Sequence, residues 1–60
     1  SPDNMLLRYN LAVLMDKAGN WADAAGLYRD VLAAVDRGEK VPSSRDAIQQ
    51  RLTFIQSNAS

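Results

Sequence analysis

The chain has 60 residues, 47% of them apolar, with seven Lys plus Arg against seven Asp plus Glu and neither Cys nor His. One domain is the most this length can build, and a domain so small buries only about 60% of the surface its unfolded chain exposes. No disulfide can add to that stability, zinc lacks its usual ligands, and a net charge of zero argues against nucleic acid as a partner. The longest uninterrupted apolar run, Leu11–Met15, falls far short of the roughly 20 residues that span a bilayer. No charged segment followed by an apolar stretch opens the chain, so neither a membrane span nor a signal peptide is expected here.

The first helix is predicted over about residues 3–18. Pro2 suits a first turn, Ser1 can cap it, and Asp3 puts negative charge at the positive end of the helix dipole. Leu7, Leu11, Leu14, Met15 and Ala18 recur at helical spacing, and the pattern predicts that they form the buried stripe. Gly19 ends the helix, and Asn20 can cap the next with Asp23 as its capping-box partner.

A second helix is expected over about 21–37, with Trp21, Ala24, Ala25, Tyr28, Val31, Leu32 and Val35 at helical spacing and Gly38 as its stop. So short a connection makes the two helices antiparallel neighbours, an αα-hairpin. Residues 38–43 read as a loop, because Pro42 holds Val41 out of the helical region. Ser43-x-x-Asp46 then signals the start of a third helix, over about 44–57. Ala47, Ile48, Leu52, Phe54 and Ile55 form its apolar side, with Arg51 inside the same arc. The tail from Ser57 to Ser60 is expected to fray. The fold class expected is all-α: an antiparallel hairpin followed by a third packing helix, 1–60 as one unit.

Residues 8–28 resemble a tetratricopeptide repeat. The family pattern runs W-x2-L-G-x2-Y, then A-x3-F, then P. Arg8 stands in the Trp place, Leu11-Ala12 in the Leu-Gly place and Met15 in the Tyr place. Gly19 falls at the family's turn, Trp21 in the aromatic place beyond it, and Ala24 and Tyr28 reproduce A-x3-F. Ala12 and Ala24 are small where the two helices must approach closely. Asp36-Arg37-Gly38 replaces the closing Pro, so the second helix is expected to run longer. The resemblance implies one full repeat hairpin with a terminal helix, and a fragment of a longer repeat protein, since single repeats do not cover both their faces.

In that family the first helix lines a concave groove that holds peptides. Leu6, Tyr9, Asn10, Val13 and Lys17 cluster within about 60° of Leu6 on an ideal wheel, away from the predicted buried stripe. The resemblance makes these five the candidate partner-binding residues, with Asn10 able to donate to and accept from a peptide backbone. The expectation is a noncatalytic protein–protein interaction scaffold without cofactor or metal. Its partner is a peptide, another protein or adjacent repeats. The rival reading is a small helical domain whose role is self-association. Catalysis is not expected: Ser43, Ser44 and Asp46 are accounted for as a helix start, with no His to activate a nucleophile. A helix-turn-helix DNA reader needs cations early in its second helix, and this one opens Trp21-Ala22-Asp23-Ala24-Ala25.

Overall fold

A computed structural model of the chain describes residues 4–58. Three helices follow in order: α1 Met5–Lys17, α2 Trp21–Asp36 and α3 Arg45–Asn58, with no strand among the described residues. α1 and α2 form the expected hairpin, and α3 packs on α2. Ser1, Pro2 and Asp3, expected to start the first helix, and Ala59 and Ser60 of the tail expected to fray, lie outside the described residues. Within them, Ser57 and Asn58 are still helical.

The helix ends show how local chemistry sets these bounds. Asn4 is extended and caps α1, its Oδ1 accepting from the amides of Leu6 at 3.0 Å and Leu7 at 3.3 Å. At the far end Gly19 takes φ +81°, and the Asn20 amide donates to the Met15 carbonyl at 2.9 Å while that of Gly19 donates to Asp16 at 3.1 Å. This pair of bonds is the Schellman ending. α2 closes in the same way: Gly38 has φ +94°, and the amides of Glu39 and Gly38 reach the carbonyls of Ala34 and Val35 at 3.0 and 2.9 Å.

Two capping expectations need correction. Asn20 occupies the cap position of α2, but its side chain makes no capping bond and turns back to Met15 Sδ at 3.6 Å. The cap of α3 is Ser44 rather than Ser43, with Oγ accepting from the Ala47 amide at 3.1 Å.

α2 is the central helix. It contributes Ala24, Ala25, Tyr28, Val31 and Leu32 to the core cluster; α3 adds Ile48, Leu52 and Ile55, and α1 adds Ala12 alone. The backbones of α1 and α3 do not approach one another, so each packs its backbone against α2. Ile48, Leu52 and Ile55 are buried as expected, while Ala47 and Phe54 on the same expected face are exposed, Phe54 at 45%. Leu27 lines a groove with Leu11 and Met15 of α1. The side of α2 that carries it therefore faces the first helix, whereas Trp21 meets Phe54 of α3, ring centroids 5.7 Å apart, on the other side.

The largest correction concerns α1. Leu7, Leu11 and Leu14, expected at the centre of the buried stripe, are 64%, 41% and 63% exposed, and Ala18 is exposed too. The covered side is the one centred on Ala12, with half-buried Tyr9 and Met15 packed against the core at its edges. Ala12 and Ala24 are both fully buried. A methyl group at such a position lets two helix axes come close, and a helix pair this close needs little apolar bulk. Ala12→Leu is expected to overpack the site and destabilise the fold by about 1–3 kcal/mol. Thermal melts followed by circular dichroism check this, and an unchanged midpoint would show that α1 and α2 are not closely apposed there.

Candidate interaction surface

Asp16 sits one turn beyond Ala12, on the same covered face of α1. Its side chain is only 10% exposed and accepts three bonds: from Arg51 Nε at 2.7 Å, from Arg51 Nη2 at 2.6 Å and from the Tyr28 hydroxyl at 3.1 Å. The Trp21 indole N–H donates to the Asp16 backbone carbonyl at 3.2 Å. Arg51 also lies 4.6 Å from the centre of the Phe54 ring. One residue of α1 thus ties two residues of α2 and one of α3. This forked ion pair bridges α1 and α3 although their backbones stay apart.

The electrostatics follow from these contacts. Hydrogen bonding to Arg51 holds the Asp16 carboxyl below its usual range, with the Tyr28 bond and the Arg51 charge adding to it against the cost of burial. Burial, followed by the bond to Asp16 and the Asp16 charge, pushes Tyr28 up to about 12. A second fork joins Arg45 Nε to Asp36 Oδ1 at 2.7 Å across the α2–α3 loop. Both of its partners are about half exposed, so it adds little to stability.

Asp16 and Tyr28 make the fold depend on pH in opposite directions. Asp16 stabilises the fold above the ordinary carboxylate pKa and loses that contribution as pH falls through its lowered value. Tyr28 is raised when folded, so its contribution is complete below about pH 10 and lost as pH climbs toward 12. The free energy of unfolding is therefore expected to fall between pH 10 and 12, by up to about 2 kcal/mol at the upper end. Tyr28→Phe should flatten that decline; a variant with the same alkaline slope would assign it to another group. Asp16→Ala leaves the Tyr28 hydroxyl without its partner and breaks the bridge to Arg51. It is expected to cost about 1–3 kcal/mol at pH 7, read as a lower midpoint in urea.

Opposite this joint, α1 presents an open apolar face. Four of its leucines are exposed, Leu6 at 46% together with Leu7, Leu11 and Leu14. Leu7, Leu11, Leu14 and Ala18 are spaced by four, three and four residues, the spacing of a seam that packs a second helix. Removing the remaining area of Leu7 or Leu14 from water is worth roughly 1–2 kcal/mol each. The face runs on into an open groove of about 540 Å³, walled by Leu11 and Met15 of α1 and by Ala22, Gly26 and Leu27 of α2, with Asp23, Arg29 and Asp30 on its rim. Arg8 Nη1 donates to Asp30 Oδ2 at 3.1 Å and closes the edge of the hairpin beside it.

The five candidate binding residues divide. Leu6, Asn10 and Lys17 are exposed beside the leucine seam. Val13 is half-buried, and Tyr9 packs against the core, so Tyr9 is part of the hairpin interior and not of an uncovered strip. The seam itself was assigned to the core by its periodicity. Its exposure follows from the position of Asp16 and Ala12, which face α2 together. The signal for that was a carboxylate on the first helix matched by Arg51 inside the apolar arc of the third. No helix among the described residues is long and apolar enough to cross a membrane. No protein-family model, curated protein or solved structure matches the chain.

Proposed function

We propose that this chain is a noncatalytic protein–protein interaction module that binds a protein or peptide partner through α1. The observation that carries the reading is the exposure of Leu7 and Leu14, at 64% and 63%, on one face of a helix whose opposite face is sealed. A contiguous apolar strip of this kind marks a contact site on a small protein. Leu6, Asn10 and Lys17 border the strip and are assigned to the same contact, with Tyr9 and Val13 supporting it from beneath.

The tetratricopeptide reading is part of the proposal. The fully buried Ala12 and Ala24 and the short hairpin turn at Gly19 support it, and α3 takes the place of a terminal helix. The ionisable groups whose pKa values are displaced support a structural role rather than a reaction. Asp16, Tyr28 and Arg51 bond to one another and join helices, and Asp36 and Arg45 form an exposed pair across a loop.

The test separates interface from core. Leu7→Glu with Leu14→Glu should leave helicity and the melting midpoint nearly unchanged, because neither side chain supports the hairpin. A photo-crosslinking residue in place of Leu11 should join the chain covalently to a protein, and one in place of exposed Gln50 on α3 should not. A drop of several degrees in the double variant would return the leucines to the core and overturn the proposal.

A further inference from the structure

We propose that the helix seated on the α1 seam is α1 of a second copy of this chain, running antiparallel, with Leu11 of one copy against Leu14 of the other and Leu7 against Ala18. This rests on reading α1 as the interaction surface. Three observations bear on the occupant: register and charge favour a second copy, and a glycine beside the seam leaves room for a close helix.

The first is register. In an antiparallel pair, positions of the two alternating seam classes face each other, so Leu11 must meet either Leu14 or Leu7 of the other copy. The first choice gives four layers made only of Leu and Ala. The second sets Leu14 against Asn4, whose side-chain oxygen is already bonded to the Leu6 and Leu7 amides. Among antiparallel staggers only this one fills every layer with apolar side chains, and it maps the seam onto itself about a two-fold axis, as an isologous dimer requires.

The second is charge. The seam is flanked by Arg8 and Met15 on one side and by Asn10 and Lys17 on the other. In this stagger Arg8 faces Met15 of the second copy, and Lys17 faces Asn10. No like charges meet, and the Asn10 amide oxygen can accept from the Lys17 ammonium. A strongly acidic partner would find few cations here, and Arg8 already bonds Asp30 at 3.1 Å.

The third is Gly26, in the groove wall beside the seam. A Cβ at this position would meet nothing nearer than the end of the Arg29 side chain at 3.9 Å. Packing within the chain does not require this glycine, although glycine weakens a helix interior. Close approach by a neighbouring helix gives a use for it.

Sedimentation equilibrium on the 60-residue chain tests the proposal, with circular dichroism alongside. The mass is expected to rise with concentration toward twice 6.6 kDa. Leu14→Glu should hold it at the monomer value with helicity intact. Asn10→Glu, an exposed substitution, puts a carboxylate opposite Lys17 of the second copy and should tighten the dimer about 2- to 5-fold. In a parallel seam position 10 faces Met15 instead, so an unchanged dimerisation constant would overturn the arrangement. A wild type that stays monomeric up to millimolar concentration would overturn self-pairing. If its Leu7→Glu and Leu14→Glu variant is also fully stable, the interaction reading stands and another partner occupies the seam. Unfolding of that variant would sink both.

Discussion

Among the described residues α2 alone packs its backbone against two helices, and that constraint shapes the rest of the structure. α1 and α3 pack on α2 without backbone approach to each other, so each can cover only the side turned toward α2. For α3 this covers most of the apolar side, with Phe54 left 45% exposed. Ile48, Leu52 and Ile55 lie together and are buried, and the rest of the helix is polar apart from Ala47 and Phe54. α1 carries apolar side chains around most of its circumference, and one neighbour cannot cover them all. Its exposed leucines are a geometric consequence of having α2 on one side and nothing on the other.

Asp16 decides which side of α1 is covered. A carboxylate in a largely buried place is costly unless its lone pairs are matched, and here Arg51 and Tyr28 match them. The arrangement orients two packings at once. It fixes the rotation of α1 about its own axis, because Asp16 must face Tyr28, and it holds Arg51 of α3 over the Phe54 ring toward the hairpin. A leucine stripe has no comparable preference for one partner. Directional bonds to a single carboxylate choose among packings of similar apolar area, and the leucines take whatever side remains.

Much of the fold was legible in the chain. Gly19 and Gly38 announced the two helix ends, since few residues other than glycine adopt a positive φ there, and Pro42 announced the loop. Ala24, Tyr28, Val31 and Leu32 showed the working face of the second helix, and Ile48, Leu52 and Ile55 that of the third. Caps were legible only to within a residue: the spacing to Asp46 pointed to Ser43, whereas its neighbour Ser44 makes the capping bond. The rotation of α1 was not legible from periodicity. Leu7, Leu11 and Leu14 form a clearer helical pattern than Ala12 and Asp16, yet Ala12 and Asp16 face α2. The resemblance to the tetratricopeptide pattern placed Ala12 at the close contact, where it is fully buried, whereas periodicity put Leu11 in the buried stripe, where it is 41% exposed.

The contrast between the two sides of α1 has a physical logic. A hairpin closed by a three-residue turn brings its helices together at short range, and small side chains such as Ala12 and Ala24 suit that distance. Large side chains there would separate the axes and break the bonds at Asp16, which tolerate little displacement. Bulk is useful instead where a helix must be met at the wider spacing of a seam, with no turn to hold it near. There the area removed from water has to provide the attraction. On this argument the strongest apolar periodicity in a short helical module reports where it meets another helix, and the small residues and matched charges report how it holds itself together. In this chain the first signal lies on Leu7, Leu11 and Leu14, and the second on Ala12, Asp16 and Arg51.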